Sequence, residues 1–355
     1  MNNTKISLIF ACYNVSQYLD NLFQLLTSQP YQNIEIIFVE DCATDDTKAK
    51  LQSFNDPRVK LLCNEKNIGA AESRNRGIQI VTGEYIWFPD PDDLFDELLL
   101  TKVNTIIQKN RPDVISIGMQ ERYEINGKTD YTKDIVSRYD GLITGDFTDV
   151  FVDLEESFLF GYTNNKFYKA NIIHKYRILN EHQALKEDFE FNIKVFKQVS
   201  NFYLLNEPLY FYMKRNNGSL TSKFVPDYFR IHMQTLASFK SLIEVKATIN
   251  DNVNRLLVNR FVRYCLSAIE RNSSLKSGMS FLEQNQWIKE NIFNQEKYNE
   301  YLLLSDLVNK KQKLFYFLIK YRIGFLLVTA ANIVKLVKAK FPILFVKLKG
   351  GLTGF

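Results

Sequence analysis

The chain reads as a doubly wound α/β sheet followed by a helical C-terminal region. Three observations predict this. Apolar runs of strand length alternate with segments of helical spacing over the first 120 residues. Several of those runs end abruptly in polar or acidic residues, as strands do where a parallel sheet opens toward a ligand. Beyond Pro226 the pattern becomes helical almost throughout.

Taken in order, Ile6 to Tyr13 is a continuous apolar run, suited to a central parallel strand buried on both faces, and Asn14 ends it. Ser16 is placed to cap a helix carrying Leu19, Leu22, Phe23 and Leu26, which stops before Pro30. Ile34 to Val39 is a second buried strand ending in Glu40 and Asp41, and Thr44 can cap a short helix over 45–53. Arg58 to Cys63 is a third strand. Asn67 to Ile78 then opens a helix that Gly83 is expected to close at its C′ position. Within it Ala71, Arg74, Ile78 and Val81 share one face, so Arg74 lies on an apolar stripe and needs a partner. Either an internal salt bridge or a ligand phosphate answers that need; Gly69 and Ala70 at the helix start leave room for a ligand.

Tyr85 to Phe88 is a short strand that stops at Pro89 and delivers Asp90, Asp92 and Asp93 within four positions. Like charges so close stay hydrated or hold a cation between them; oxygen ligands of this kind suit Mn2+ or Mg2+. Leu94 to Asn110 reads as a helix and Asp113 to Met119 as a further parallel strand, with a turn at Asn126-Gly127 and a helix over 144–158. Tyr162 to Tyr168 is a polar, aromatic stretch fit for lining a sugar site or plain surface. Glu187 and Asp188 open a helix whose dipole favours acids there in any case. Leu205 to Met213 is one strand or two, followed by a basic, glycine-containing loop from Lys214 to Thr221.

Composition excludes several classes. Cys12, Cys42, Cys63 and Cys265 are scattered with no paired spacing, as in a reduced protein. The three histidines have no zinc-ligand spacing, and neither a dinucleotide-binding glycine motif nor a P-loop is present. Met1 to Lys5 run directly into a strand, an opening without a secretory signal. Residues 1–306 carry 35 basic and 40 acidic side chains, a net of −5, whereas the last 49 carry ten Lys and Arg and no acid. An acidic body with a basic tail argues for a local anionic partner of the tail and against nucleic acid.

The order and spacing of Tyr13-Asn14, Val39-Glu40-Asp41-Cys42-Ala43-Thr44-Asp45, Asn67-Ile68-Gly69 with Arg74, Gly83 to Asp93, Glu187-Asp188 and Gly218 to Thr221 resemble the family 2 glycosyltransferases over roughly residues 5–225. Ala11 stands where that family usually has proline, Glu40 replaces an aspartate, and Cys42-Ala43 replaces Gly-Ser. The resemblance implies a GT-A fold, Rossmann-like and mostly parallel with helices on both faces, over 1–225: a nucleotide-sugar half to about 120 and an acceptor half over 121–225. A helical extension over 226–306 and a basic amphipathic tail over 307–355 would follow. It further implies a nucleotide-sugar donor, most often UDP-linked, with Asp41 on the base and Arg74, Asn14, Glu40, Arg215 and Ser219 around the nucleotide. Asp90 would meet the ribose or the metal shell, Asp92 the Mn2+ or Mg2+, and Asp188 would be the general base of an inverting transfer; Glu187 and Lys166 fall on the acceptor side. A nucleotidyltransferase, or a non-catalytic adaptor keeping a decayed fold, are the alternatives.

The longest uncharged run of the tail, Ile323 to Val334, is 12 residues, too short to span a bilayer. It suits a helix on an anionic membrane surface, where a glycan or lipid-linked acceptor lies; a helical pair covering the protein, or a homodimer contact, is the other reading. A cytoplasmic enzyme held peripherally at the inner face of the plasma membrane is the expected setting.

Overall fold

The computed structural model describes residues 3–125, 128–183, 185–215, 224–274 and 277–340. The chain divides into two compact units, Met1–Ser219 and Leu220–Phe355.

In the first unit the expected alternation is present. It runs β1 (Ile6–Cys12), α1 (Ser16–Thr27), β2 (Ile34–Glu40), α2 (Thr47–Ser53), β3 (Val59–Cys63), α3 (Ala70–Gln79) and β4 (Tyr85–Trp87). β2, β1 and β4 are buried along their whole length, save Ala11, which accounts for their unbroken apolar runs. A two-residue strand, β5 (Leu94–Phe95), precedes α4 (Leu99–Asn110), so the helix starts later than its apolar pattern suggests. The remainder of the unit comprises β6 (Val114–Ile125), β7 (Lys128–Ile135), β8 (Gly141–Thr144), α5 (Thr148–Glu156), β9 (Lys166–Lys169), α6 (Ala170–Lys175), α7 (Glu187–Phe196) and β10 (Asn201–Lys214).

One sheet carries all ten strands, in the order β3-β2-β1-β4-β9-β6-β10-β5, with β7 on β6 and β8 on β10. β1, β2, β3 and β4 are mutually parallel, as are β6 and β10. The strand expected beside β4 is not its neighbour. β9 lies between β4 and β6, antiparallel to both, with Tyr168 opposite Ile86 and Val114. The stretch Tyr162 to Tyr168 is thus half loop and half core strand, and its aromatic residues Phe167 and Tyr168 are fully buried. β10 is a single strand of 14 residues, kinked around Pro208, which lacks a ladder N–H. A side chain on Gly118 would meet the Glu207 carbonyl at that kink.

Local chemistry at the helix starts differs from expectation. Neither Ser16 nor Thr44 caps a helix; Asp45 accepts from the amides of both Ser16 (3.1 Å) and Thr47 (3.0 Å) and so begins α1 and α2 together. α3 ends at Gln79, four residues before Gly83. Gly83 serves close approach instead: a Cβ there would lie 2.4 Å from Ser7 Oγ and 2.9 Å from the Lys5 carbonyl.

The second unit is helical: α8 (Tyr228–Lys246), α9 (Asp251–Asn272), α10 (Phe281–Ile288), α11 (Lys313–Lys320) and α12 (Gly324–Lys340), with short helical turns between α10 and α11. Asn250 caps α9, and Ser280 with Glu283 forms a reciprocal capping box on α10. α12 packs on α9, α10 and α11. Among the described residues no helix is long and apolar enough to cross a membrane. The Asn126-Gly127 turn and the Gly218 to Thr221 loop, Ser219 included, lie outside the described residues.

Candidate active site

The carboxyl edge of the parallel strands carries the polar clusters. At the end of β1, Asn14 turns left-handed (φ 53°) and its Oδ1 accepts from the Thr44 amide at 2.8 Å, tying the loops after β1 and β2. Glu40 is buried; one oxygen accepts from the Ala43 amide at 2.6 Å and the other has no partner among the described residues. Asp41 accepts from Asn64 Nδ2 (2.7 Å), the Ile68 amide (2.8 Å) and the Gly69 amide (2.8 Å). It thereby fixes the entry to α3, where Gly69 holds a φ of 87°. A carboxylate offers about four acceptor positions, and three of those of Asp41 are taken up within the protein.

Arg74, from the first half of α3, is 6% exposed. Its Nη1 donates to Asp188 and its Nη2 to Asp90, both at 3.0 Å. The salt-bridge reading of Arg74 is thus realised, and the partners are the two carboxylates of chemical interest. Burial disfavours its charge, but Asp188 and Asp90 outweigh that and raise its pKa further, so it stays a cation. The other Asp90 oxygen accepts from Asn164 Nδ2 at 2.9 Å. Asp90, Asp188 and Asn164 therefore meet around one guanidinium, although they come from three separate segments.

The acidic loop after β4 divides its work. Asp93 is buried and accepts from the Tyr210 hydroxyl (2.7 Å) and the Met213 amide (2.8 Å), anchoring the loop to β10. Asp92 is the open member, with a side chain 44% exposed. Partial desolvation by the surrounding protein, and then the neighbouring Asp90, push its carboxyl up to about 6. Arg215 donates to the Asp92 carbonyl (2.7 Å) and to Glu124 (2.7 Å), and its guanidinium lies over Tyr18. Trp87, fully buried at the end of β4, donates to the Asn164 carbonyl at 2.6 Å and packs on Phe95 and Phe167. That aromatic wedge holds the loop carrying Asn164 level with the loop carrying Asp90.

Asp188 is the second residue of α7. Burial, and then the Asp90 carboxylate, raise its pKa against the pull of Arg74; Glu187 is raised by burial and by Asp188. Lys166, expected on the acceptor side, is fully buried at the start of β9. Its ammonium donates to the carbonyls of Leu159 (2.7 Å), Phe160 (3.2 Å) and Tyr162 (2.7 Å) and to Asn165 Oδ1 (2.8 Å). Asn192 of α7 donates to two of the same carbonyls, Phe160 (2.8 Å) and Tyr162 (3.0 Å). Lys166 and Asn192 thus cinch segment 159–165 onto the helix that carries Asp188.

Sequence reasoning did not single out Asn164, Asn192 or the anchoring role of Asp93. The signal for Asn164 was three polar residues, Thr163-Asn164-Asn165, directly before a buried aromatic strand.

Asp90, Asp92, Asp93, Glu187 and Asp188 outnumber Arg74, Arg215 and Lys166 at this edge. Among the described residues no three His, Cys, Asp or Glu side chains converge into a metal cage. The donor set fits a divalent cation held by one or two carboxylates and completed by a phosphate-bearing substrate. Asp92 is the most open of the loop carboxylates, with Asp90 beside it.

Residues 7–189, just over half of the chain, match the sequence model of Glycosyl transferase family 2. The chain belongs to this family. The glycosyltransferase is 36% identical over 121 residues to Glycosyltransferase GlyG of Streptococcus pneumoniae, 34% of this chain and 40% of that protein. It spans well under two thirds of that relative's length. Over 95 residues it is 34% identical to UDP-Glc:alpha-D-GlcNAc-diphosphoundecaprenol beta-1,3-glucosyltransferase WfgD of Escherichia coli, 27% of this chain and 38% of that one. S. aureus TarS 1-349, crystallised in complex with UDP-GlcNAc, superposes with a TM-score of 0.68 over 92% of this chain and 91% of that chain, at 20% identity. The GT-A fold of the transferase is therefore established. At the position where the family usually has glycine, Cys42 itself takes φ 57°, so the left-handed turn survives the replacement.

Proposed function

We propose that this glycosyltransferase moves a sugar, with inversion, from a UDP-linked donor to a hydroxyl of a glycan or lipid-linked acceptor in cell-surface polysaccharide synthesis. The observation that carries the reading is the Arg74 clamp, 3.0 Å from both Asp90 and Asp188. It sets Asp90 and the half-buried Asp188 at a common distance from one cation.

In this mechanism the acceptor hydroxyl gives its proton to Asp188 as its oxygen bonds to C1 of the sugar. The bond from C1 to the phosphate oxygen breaks, and the nucleoside diphosphate leaves with the electron pair. One displacement inverts the anomeric centre and needs no covalent intermediate. The raised pKa of Asp188 makes it a stronger base than an ordinary aspartate. Arg74 keeps the base oriented and offsets its charge, while Asp41 presents its remaining acceptor position to the base of the nucleotide. Arg215, which already bridges Asp92 and Glu124, follows the end of β10 and would reach the diphosphate. Mn2+ or Mg2+ held by Asp92, when bound, would supply positive charge to the leaving diphosphate.

The UDP-glucosyl activity printed in the name of WfgD and the UDP-GlcNAc bound to TarS support a UDP-sugar donor; family membership weighs against nucleotidyl transfer. A diphosphoundecaprenol acceptor in the WfgD name supports a lipid-linked acceptor. A panel of UDP-sugars with Mn2+, read by thermal shift and by UDP release with an acceptor mixture, tests the reading. Stabilisation and metal-dependent UDP release with at least one UDP-sugar are expected. Release of sugar 1-phosphate in place of UDP, with the uridylyl group passing to the acceptor, would move the chain to nucleotidyl transfer.

A further inference from the structure

α11 and α12 carry more apolar surface than their packing uses. Tyr316, Leu318 and Ile319 of α11 and Leu327, Val328 and Ala331 of α12 are buried and account for the fold of this unit. A second set faces outward: Leu314, Phe317, Tyr321, Phe325, Ile333 and Leu336 are each between 54 and 66% exposed. Leu314, Phe317 and Tyr321 follow one another at i, i+3 and i+7, one stripe along α11 and its C-cap. The Phe325 ring meets that of Phe281 at 5.3 Å, which extends the surface onto α10, where Leu282 is 79% exposed. Scattered exposed apolar residues are ordinary, but a run continued over three helices marks an interaction surface.

The charge beside it narrows the partner. Lys310, Lys313 and Arg322 are exposed on the same segment, and no Asp or Glu follows Asp306. Two copies of the chain joined through this face would bring like cations together, whereas an anionic bilayer neutralises them.

We propose that this three-helix face is a docking surface for an anionic lipid bilayer. Phe317 and Phe325 enter the headgroup–acyl boundary, and Lys310, Lys313 and Arg322 meet the headgroups. The surface is built by the folded unit, α10 included, and is not a property of the terminal segment alone. The inference rests on the functional reading above only for the reason why such a surface is useful: it brings the enzyme to a lipid-linked acceptor.

The test is co-sedimentation of the full chain with phosphatidylglycerol–phosphatidylcholine vesicles and with phosphatidylcholine alone. The parent is expected to pellet with both and clearly more strongly with the anionic vesicles. Phe317→Glu with Phe325→Glu, both at exposed positions, should weaken binding about tenfold or more, with circular dichroism unchanged. Lys313→Glu with Arg322→Glu should weaken binding to anionic vesicles and leave the weaker binding to neutral ones unchanged. Absence of vesicle binding by the parent, or binding that survives both pairs of substitutions, overturns the proposal. So does a concentration-dependent dimer that the phenylalanine substitutions abolish while vesicle binding is untouched. UDP release with a soluble acceptor analogue, measured alongside, separates the two readings. Release without vesicle binding refutes docking alone; vesicle binding without release leaves docking standing and refutes the functional assignment.

Discussion

Arg74 joins the two ends of the candidate site, and what it joins explains what each neighbour can contribute. Removing the proton acceptor while keeping its shape separates chemistry from binding. Asp188→Asn is expected to lower kcat by about 10²- to 10⁴-fold with the donor dissociation constant nearly unchanged; equal loss in both would assign Asp188 to binding. Asp92→Ala should abolish the gain in donor affinity that Mn2+ brings, measured by calorimetry with and without chelator, and leave metal-free affinity in place. Lys166 belongs to a different class. Its ammonium touches three carbonyls and an amide oxygen, all inside the protein, so it acts on the reaction only by holding segment 159–165. Lys166→Met leaves Asn165 Oδ1 without its donor and the Leu159 carbonyl with only a long bond from Asn165, while the Phe160 and Tyr162 carbonyls keep Asn192, at a cost of about 1–3 kcal/mol for each acceptor orphaned. The expected signature is a lower melting temperature together with a fall in kcat, because Asn164 and Asp90 lose their common support. An unchanged melting temperature would remove Lys166 from this role.

At the scale of elements, the opposite, amino-terminal edge of the sheet is fastened by one carboxylate. Glu35 of β2 is buried and accepts from Ser7 Oγ (2.5 Å), Lys60 Nζ (2.8 Å), the Thr82 amide (2.6 Å) and Thr82 Oγ1 (2.9 Å). Burial alone would raise its pKa, but the bonds from Lys60, Ser7 and Thr82 outweigh it and hold the carboxyl down at about 2, against an ordinary 4.5. Since the folded state binds this proton more weakly than the unfolded state, the contribution is complete above about 4.5 and is lost as the pH falls toward 2. Glu35→Gln should therefore lower stability at neutral pH, by about 1–3 kcal/mol, and flatten the loss between those limits; chemical denaturation across that range reads both effects. Gly83, beside this network, has no room for a methyl group between Ser7 and Lys5. Gly83→Ala is expected to cost about 1–3 kcal/mol by overpacking, read in the same denaturation series.

For the molecule as a whole, charge is divided along the chain: a net of −5 over residues 1–306 and +10 over the remainder. Attraction of the basic segment to anionic vesicles is screened over about 8 Å at physiological ionic strength, whereas burial of Phe317 and Phe325 is not. Binding measured against added salt should accordingly fall and then level off. A fall to zero would assign the attachment to charge alone.

The strands of the donor half were legible because a parallel strand buried on both faces is apolar at every position, and such runs need no partner to be recognised. Asp90, Asp92, Asp41 and Asp188 were legible as candidates because acids at strand and helix ends stand out against apolar neighbours. β9 was not, since four residues with two aromatic rings do not reveal whether they form loop or core. Asn164 and Asn192 were missed for a related reason: an uncharged amide acquires its meaning from the group it touches, and those groups are 74 and 32 residues away. The basic tail was plain from composition, but the apolar stripe it shares with Phe281 and Leu282 arises only when α12 packs on α10. By itself, then, the sequence determined the alternation of strands and helices from β1 to β4, the acidic edge and the segregation of charge, all of which follow from local chemistry along the chain. Which carboxylates share Arg74, that Lys166 faces inward and that an antiparallel strand separates β4 from β6 were decided by the tertiary structure, because each depends on pairings between segments that no local pattern encodes.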